Sequence, residues 1–306
     1  MMLQTLLAEL KSIDDIEPVI LLDWRCELAD LPERTIVHRI DKDQDYRPVL
    51  LKLMRQCRLF WPIAPETDGA LLALVELAEA QSMTTLASSP AAIALCGSKL
   101  ATSRYLRRHN INAIETERLT AEVPPRLAGK MVIKPDDGAG AEDSFIVSSL
   151  EDYRRVVGRL QAIERYVMQP YRPGRAISLS CLFKQGRAWL LCCNGQQLSV
   201  SNGQFRLMAC QVNIRSRTAI DYARLIEQVA RAIPGLWGYV GIDLIETERE
   251  AVILEINPRL TSSYDGIVEA SGINVAEQVL RLLDGEPVLR KTRDTTVMIT
   301  LDKECN

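Results

Sequence analysis

Histidine is almost missing from this 306-residue chain, with His38 and His109 the only two. That leaves no Ser-His-Asp or Cys-His arrangement to carry nucleophilic catalysis, and too few imidazoles for a zinc centre. Cysteine occurs eight times, with Cys192 and Cys193 adjacent but no CxxC, so neither a zinc ribbon nor a disulfide framework is indicated. The thiols read as small buried hydrophobes in a reducing cytosol. No uninterrupted apolar run approaches the ~18 residues of a membrane span. The opening residues carry Glu9 inside an apolar stretch and lack a basic segment and a small-residue cleavage site, so no secretory leader is read there. Blocks of one charge sign are also lacking: the net charge is −3, with basic residues scattered, which removes the electrostatic footprint of a nucleic-acid binder. The expectation is a cytoplasmic protein with neither membrane nor nucleic acid among its partners.

What is present is the composition of a folded globular protein, 47% hydrophobic and 25% charged. The length exceeds one ordinary hydrophobic core, so two or three packed lobes with a cleft between them are expected. Short apolar runs at residues 18–23 and 58–64 alternate with helical periodicity, which predicts a small parallel α/β lobe over residues 1–95. A helix is expected over 68–79 and another, basic at its C-terminal end, over 98–110. From residue 129 the texture turns to strand. Runs at 131–134 and 144–147 flank a glycine-containing loop; a helix over 151–165, a strand at 165–169 and a stiff hinge at 170–174 follow. A second lobe is thus expected over 96–167 and a third over 168–306. The third begins as antiparallel sheet, with a hairpin of 177–183 on 187–193 and another turn at Asn202 and Gly203.

Residues 239–257 carry the most chemical information. They read as two strands about a polar turn. Centred on Arg249, the hairpin sets Asp243 across from Glu255, with Asn257 on the same face; Val240, Ile242, Leu244, Val252, Leu254 and Ile256 share the other. Two facing carboxylates repel and are costly to bury unpaired, whereas a hard divalent cation with these oxygen ligands removes the difficulty. A half-exposed hairpin whose acids merely face water is equally compatible with this stretch alone. Lys134, at a strand end before Pro135 and the glycine loop, has the placement of a phosphate-binding lysine, as does Lys99 on its helix. Each alone is matched by an ordinary solvated lysine.

Taken together and in this order, Ser98-Lys99, the 132–135 strand end with its glycine loop, the 167–174 hinge, Gly241-Ile242-Asp243 and the 254–259 segment resemble the ATP-grasp superfamily. The resemblance covers residues from about 98 to 265, and residues 63–69 look like the end of the domain that precedes it in many members. It implies an ATP-grasp fold of α/β and α+β lobes behind an N-terminal parallel α/β domain. By position, Lys99 and Lys134 would contact nucleotide phosphates beneath a loop of Gly138, Ala139 and Gly140. Met168, Gln169, Pro170 and Tyr171 would offer backbone groups to adenine. Asp243, Glu255 and Asn257 would hold Mg2+ or Mn2+, Arg259 and Lys134 would act in catalysis, and the polar run 261–264 would meet the acid substrate.

Two departures accompany the resemblance. Ala176 stands where members often carry a ribose-binding glutamate, with Gln169 as a substitute, and Gly241 stands where D-alanine:D-alanine ligases carry an arginine. The implied activity is ATP-dependent joining of a small carboxylate to an amine through an acyl phosphate, with a homodimer as an assembly open to it. The branch most similar contains the tyramine:glutamate ligases of methanofuran-type cofactor synthesis. Another amino-acid ligase, a kinase on the same nucleotide cradle and an ATP-binding regulator without turnover are the alternatives.

Overall fold

The computed structural model describes residues 2–26, 28, 31, 33–122, 129–138, 140, 143–216 and 218–301. A helix, Met2–Lys11, precedes two short parallel ladders: β1 (Val19–Asp23) with β2 (Ile36–Ile40), and β3 (Leu59–Phe60) with β4 (Thr84–Thr85). The parallel character matches expectation, but the apolar run at 58–64 yields only two strand residues. Pro62 has no N–H to give a ladder, so pairing stops before it. Helix Ala70–Ala80 follows a 3-10 turn at Thr67–Gly69, where the chain enters left-handed backbone at Asp68 (φ 54°) and Gly69 (φ 69°). Helix Pro90–Cys96, absent from the sequence expectation, starts with Ser89 accepting the Ala92 N–H and proline in its first turn. Ser98 caps helix Lys99–Arg108 in the same way, through the Ala101 N–H.

The next part is a small antiparallel sheet. β5 (Glu117–Arg118), β6 (Met131–Pro135), β7 (Phe145–Val147) and β8 (Tyr166–Pro170) lie in the order β7-β6-β8-β5. Helix Leu150–Val157 covers it, burying Tyr153 and Val156 against Leu119, Ile133 and Val147. This helix stops eight residues short of the expected end, at Gly158, whose backbone freedom disfavours helix; a 3-10 turn, Ile163–Arg165, leads into β8.

A larger sheet forms the rest. β9 (Arg175–Lys184), β10 (Arg187–Ser201), β11 (Gln204–Val212), β12 (Gly238–Glu246), β13 (Ala251–Asn257) and β14 (Val297–Thr300) pair in the order β13-β12-β9-β10-β11, with β14 also on β11. The two-residue loops after β9 and β10 are Gln185-Gly186 and Asn202-Gly203, all with positive φ, the backbone that matches hairpin twist. Among the described residues Gln204 pairs with Phe145, and the Ile146 and Phe205 N–H groups donate to the Gly203 and Ser144 carbonyls, so the small and large sheets run on as one. Helix Tyr222–Ala232 packs one face of the large sheet, over Phe183, Val240 and Ile253; Val275–Arg281 and the N-terminal helix serve the other. The cleft opens where the two sheets meet.

Candidate active site

The floor of the cleft is the β12–β13 hairpin. Asp243 pairs with Glu255 and Gly241 with Asn257, in the register expected from the sequence. Asn257 Nδ2 donates to Asp243 Oδ2 at 3.3 Å, and Gln196 on β10 donates to Oδ1 at 2.9 Å. The apolar face differs from expectation below this point. The register slips between Asp243 and Leu244, which then faces Ile253, so Leu254 is the extra residue of a β-bulge. Ala251 and Ile253 therefore join Val240, Ile242, Leu244 and Ile256 in the core, while Leu254 lines the cleft and Val252 leaves that cluster.

Two lysines face this floor. Lys99 Nζ stands 3.2 Å from Glu255 Oε2 and donates to the Gly138 carbonyl at 2.6 Å; Lys134 Nζ stands 3.9 Å from the same carboxylate oxygen. Both side chains are about nine-tenths buried. Burial, aided by the charge of Lys99, pulls the Lys134 ammonium down to about 8. Burial also pushes Asp243 up, reinforced by the Glu255 charge, while Lys99 and Lys134 outweigh burial at Glu255 and hold its carboxyl low. The pair thus keeps one negative charge comfortably and resists a second unless a further cation is present.

Asp136, whose part was missed in the sequence, fixes Lys99. Its carbonyl accepts the Lys99 N–H at 3.0 Å, and its carboxylate accepts the Leu100 N–H and the Ser98 hydroxyl, both at 2.8 Å. The loop after β6 is thereby clamped to the start of helix Lys99–Arg108. Gly138 and Gly140 line the cleft; Ala139 lies outside the described residues.

Of the four expected hinge residues, Gln169, Pro170 and Tyr171 line the cleft. Met168 instead packs its side chain with the core of the small sheet and pairs with Glu117 and Ile133, because it is on the covered face of β8. The Tyr171 N–H is committed to the Lys130 carbonyl at 2.9 Å. Ala176 also lines the cleft, and the Gln169 amide is spent on Thr116 Oγ1 at 2.9 Å.

Arg259 follows the hairpin. Its Nε donates to Glu66 Oε2 at 2.6 Å, one Nη to the Leu260 carbonyl at 3.1 Å and the other to Asn257 Oδ1 at 3.4 Å. Beside it lies a chain of hydroxyls: Tyr239 is 2.9 Å from Ser180 and 3.0 Å from Thr261, which is 3.0 Å from Ser263. Thr261 explains the glycine at 241, since a Cβ there would stand 2.5 Å from Thr261 Cγ2. An arginine at that position has no room. Tyr264, expected in the substrate run, is fully buried and donates instead to Glu9 Oε2 at 2.7 Å.

Glu66, Asp136 and Gln196 are the site residues that sequence reasoning passed over. Glu66 and Asp136 lay within segments already singled out, whereas nothing in the β10 sequence marks Gln196.

Comparison with known proteins places the chain in a family. Residues 96–263 match the ATP-grasp domain and residues 16–93 the pre ATP-grasp 3 domain. Tyramine–L-glutamate ligase of Methanocaldococcus fervens is 26% identical, over 87% of this chain and 81% of its own length. The Methanocaldococcus jannaschii ligase of the same name is 24% identical over 99% and 87%. Among solved structures, an L-amino acid ligase from Bacillus licheniformis superposes with a TM-score of 0.74 at 16% identity, covering 96% of this chain and 76% of its own. With the ATP-grasp match spanning more than half its length, and the pre ATP-grasp domain before it, the chain belongs to the ATP-grasp family.

Proposed function

We propose that the protein is an ATP- and magnesium-dependent carboxylate–amine ligase that works through an acyl phosphate. The observation that carries this reading is the convergence of Lys99, Lys134, Asp243, Glu255 and Asn257 on one cleft floor beneath a glycine loop. The donor types fit a hard divalent cation: two facing carboxylates, of which burial and Glu255 push Asp243 toward its neutral form, beside the amide of Asn257, whose oxygen accepts from Arg259. Asp243, Glu255 and Asn257 would hold magnesium, which when bound supplies neutralisation of the polyphosphate charge.

The protein's own part is positioning and electrostatics. Lys99 and Lys134 place positive charge at the phosphates, and Gly138 and Gly140 let loop backbone approach them. Gln169, Pro170 and Tyr171 form the adenine side of the cleft. A carboxylate oxygen of the acid attacks the γ-phosphorus, the bond to ADP breaks, and an acyl phosphate results. Arg259 would steady the acyl phosphate. The amine then attacks the acyl carbon, loses a proton and expels phosphate, leaving an amide. No protein nucleophile is required, which fits the scarcity of histidine.

The relatives' names point to glutamate as acid and tyramine as amine. Incubation of the protein with ATP, magnesium, glutamate and tyramine is expected to give a γ-linked amide with equal amounts of ADP and phosphate. A folded preparation that turns over other acid and amine pairs but ignores this one rejects the pair and keeps the ligase. A stable phosphoester product would instead identify a kinase.

A further inference from the structure

The catalytic arginine is held from outside the ATP-grasp match. Glu66 belongs to the preceding domain, 193 residues from Arg259, yet their ion pair is the shortest contact that Arg259 makes, at 2.6 Å, with both side chains largely buried. Glu66 Oε1 is buried with no hydrogen-bond partner. A carboxylate kept out of water with one oxygen unsatisfied is costly, and Arg259 is its only ion-pair partner among the described residues. The pair also solves a local problem. Arg259 lies next to Asn257 and within the field of Asp243, whose carboxylate its charge stabilises. Without a competing anion the guanidinium would be drawn onto the metal-binding carboxylates and away from substrate.

The next two residues reach the other side of the cleft. Thr67 Oγ1 donates to the Asp137 carbonyl at 3.1 Å and the Asp68 N–H to the Asp137 carboxylate at 3.0 Å, in the loop that carries Gly138. Asp68 holds left-handed backbone to do so. Three consecutive residues therefore touch both the arginine and the phosphate loop.

We propose that Glu66 is a positioning residue for the acyl-phosphate step, its carboxylate setting the orientation of the Arg259 guanidinium, so that the N-terminal domain completes the active site. The inference rests on the ligase reading above. Its test uses the full chain with MgADP followed by inorganic phosphate, which stands in for the transferred phosphoryl group and needs no knowledge of the acid or amine. By calorimetry, Glu66→Gln is expected to leave MgADP affinity within about twofold and to weaken phosphate binding to the MgADP complex about tenfold. In an Arg259→Lys background the same change is expected to have almost no further effect, because the two residues act as a unit. Glu66→Asp, which keeps the charge but withdraws it by one methylene, is expected to fall between, and it carries the test if Glu66→Gln does not fold. Phosphate binding equal to wild type in a folded Glu66 variant, an equal loss in the Arg259→Lys background, or a parallel loss of MgADP affinity would each overturn the role. A wild-type protein that binds no MgADP removes the ligase reading and this inference together.

Discussion

Asp243 and Glu255 face each other on adjacent strands with Asn257 bonded to the first, so their functional losses should not multiply. If the two carboxylates serve one ion as proposed, Asp243→Asn and Glu255→Gln are each expected to lower turnover about a hundredfold, and the double variant little more than the worse single. Stability of the metal-free protein should hold or rise for Asp243→Asn, because the amide is permanently in the neutral state that burial and Glu255 favour at this position. Paired rate and melting measurements decide; independent, small rate effects would return these acids to an ordinary solvated hairpin. Gly241 makes a second residue-scale prediction. Gly241→Ala drives a Cβ to 2.5 Å from Thr261 Cγ2 and must displace Thr261 from its hydroxyl chain. The expected cost is about 1–3 kcal/mol of stability by chemical denaturation, with a raised KM for the acid and an unchanged KM for ATP.

At the scale of elements, the register of the β12–β13 hairpin was readable because alternating polar and apolar residues leave only one pairing that keeps the acids together. The bulge at Leu254 was not, because an extra residue changes which side chains face the core without changing composition, and Leu254 and Ile253 are equally apolar. The N-terminal helix shows the same limit. Glu9 looked like an interruption in an apolar stretch; in the fold it accepts from the Tyr264 hydroxyl and the Ala276 N–H, 255 and 267 residues away. Burial, opposed by those hydrogen bonds, raises its carboxyl from 4.5 to about 7. A carboxyl with a raised folded-state pKa contributes stability that is full below the unfolded value and lost as pH rises through the folded one. Between pH 4.5 and 7 that loss is at most about 3 kcal/mol. Glu9→Gln is therefore expected to flatten the fall in melting temperature over this window and to be the more stable protein at pH 8. An unchanged pH profile would show that the helix docks without burying the proton.

Across the whole molecule, the antiparallel sheet behind a parallel α/β N-terminal segment was legible from periodicity and turn residues, and the ATP-grasp fold from the resemblance of its motifs, since each depends on neighbours in sequence. Contacts between lobes were not. Glu66 with Arg259, Thr67 with Asp137 and Tyr264 with Glu9 join segments 70 or more residues apart, and no local pattern encodes them. Those long-range contacts bring the N-terminal domain, the glycine loop and the β12–β13 hairpin around one cleft, where a carboxylate is to be activated and joined to an amine. The most direct measurement is mass spectrometry of the protein incubated with magnesium, ATP and pooled amino acids and amines. The expected result is an amide, one water lighter than the sum of its acid and amine, formed in equal amount with ADP and phosphate and lost in Asp243→Asn. ATP left intact by the folded protein across the pool, or ADP formed alongside a phosphoester and no amide, would contradict the account.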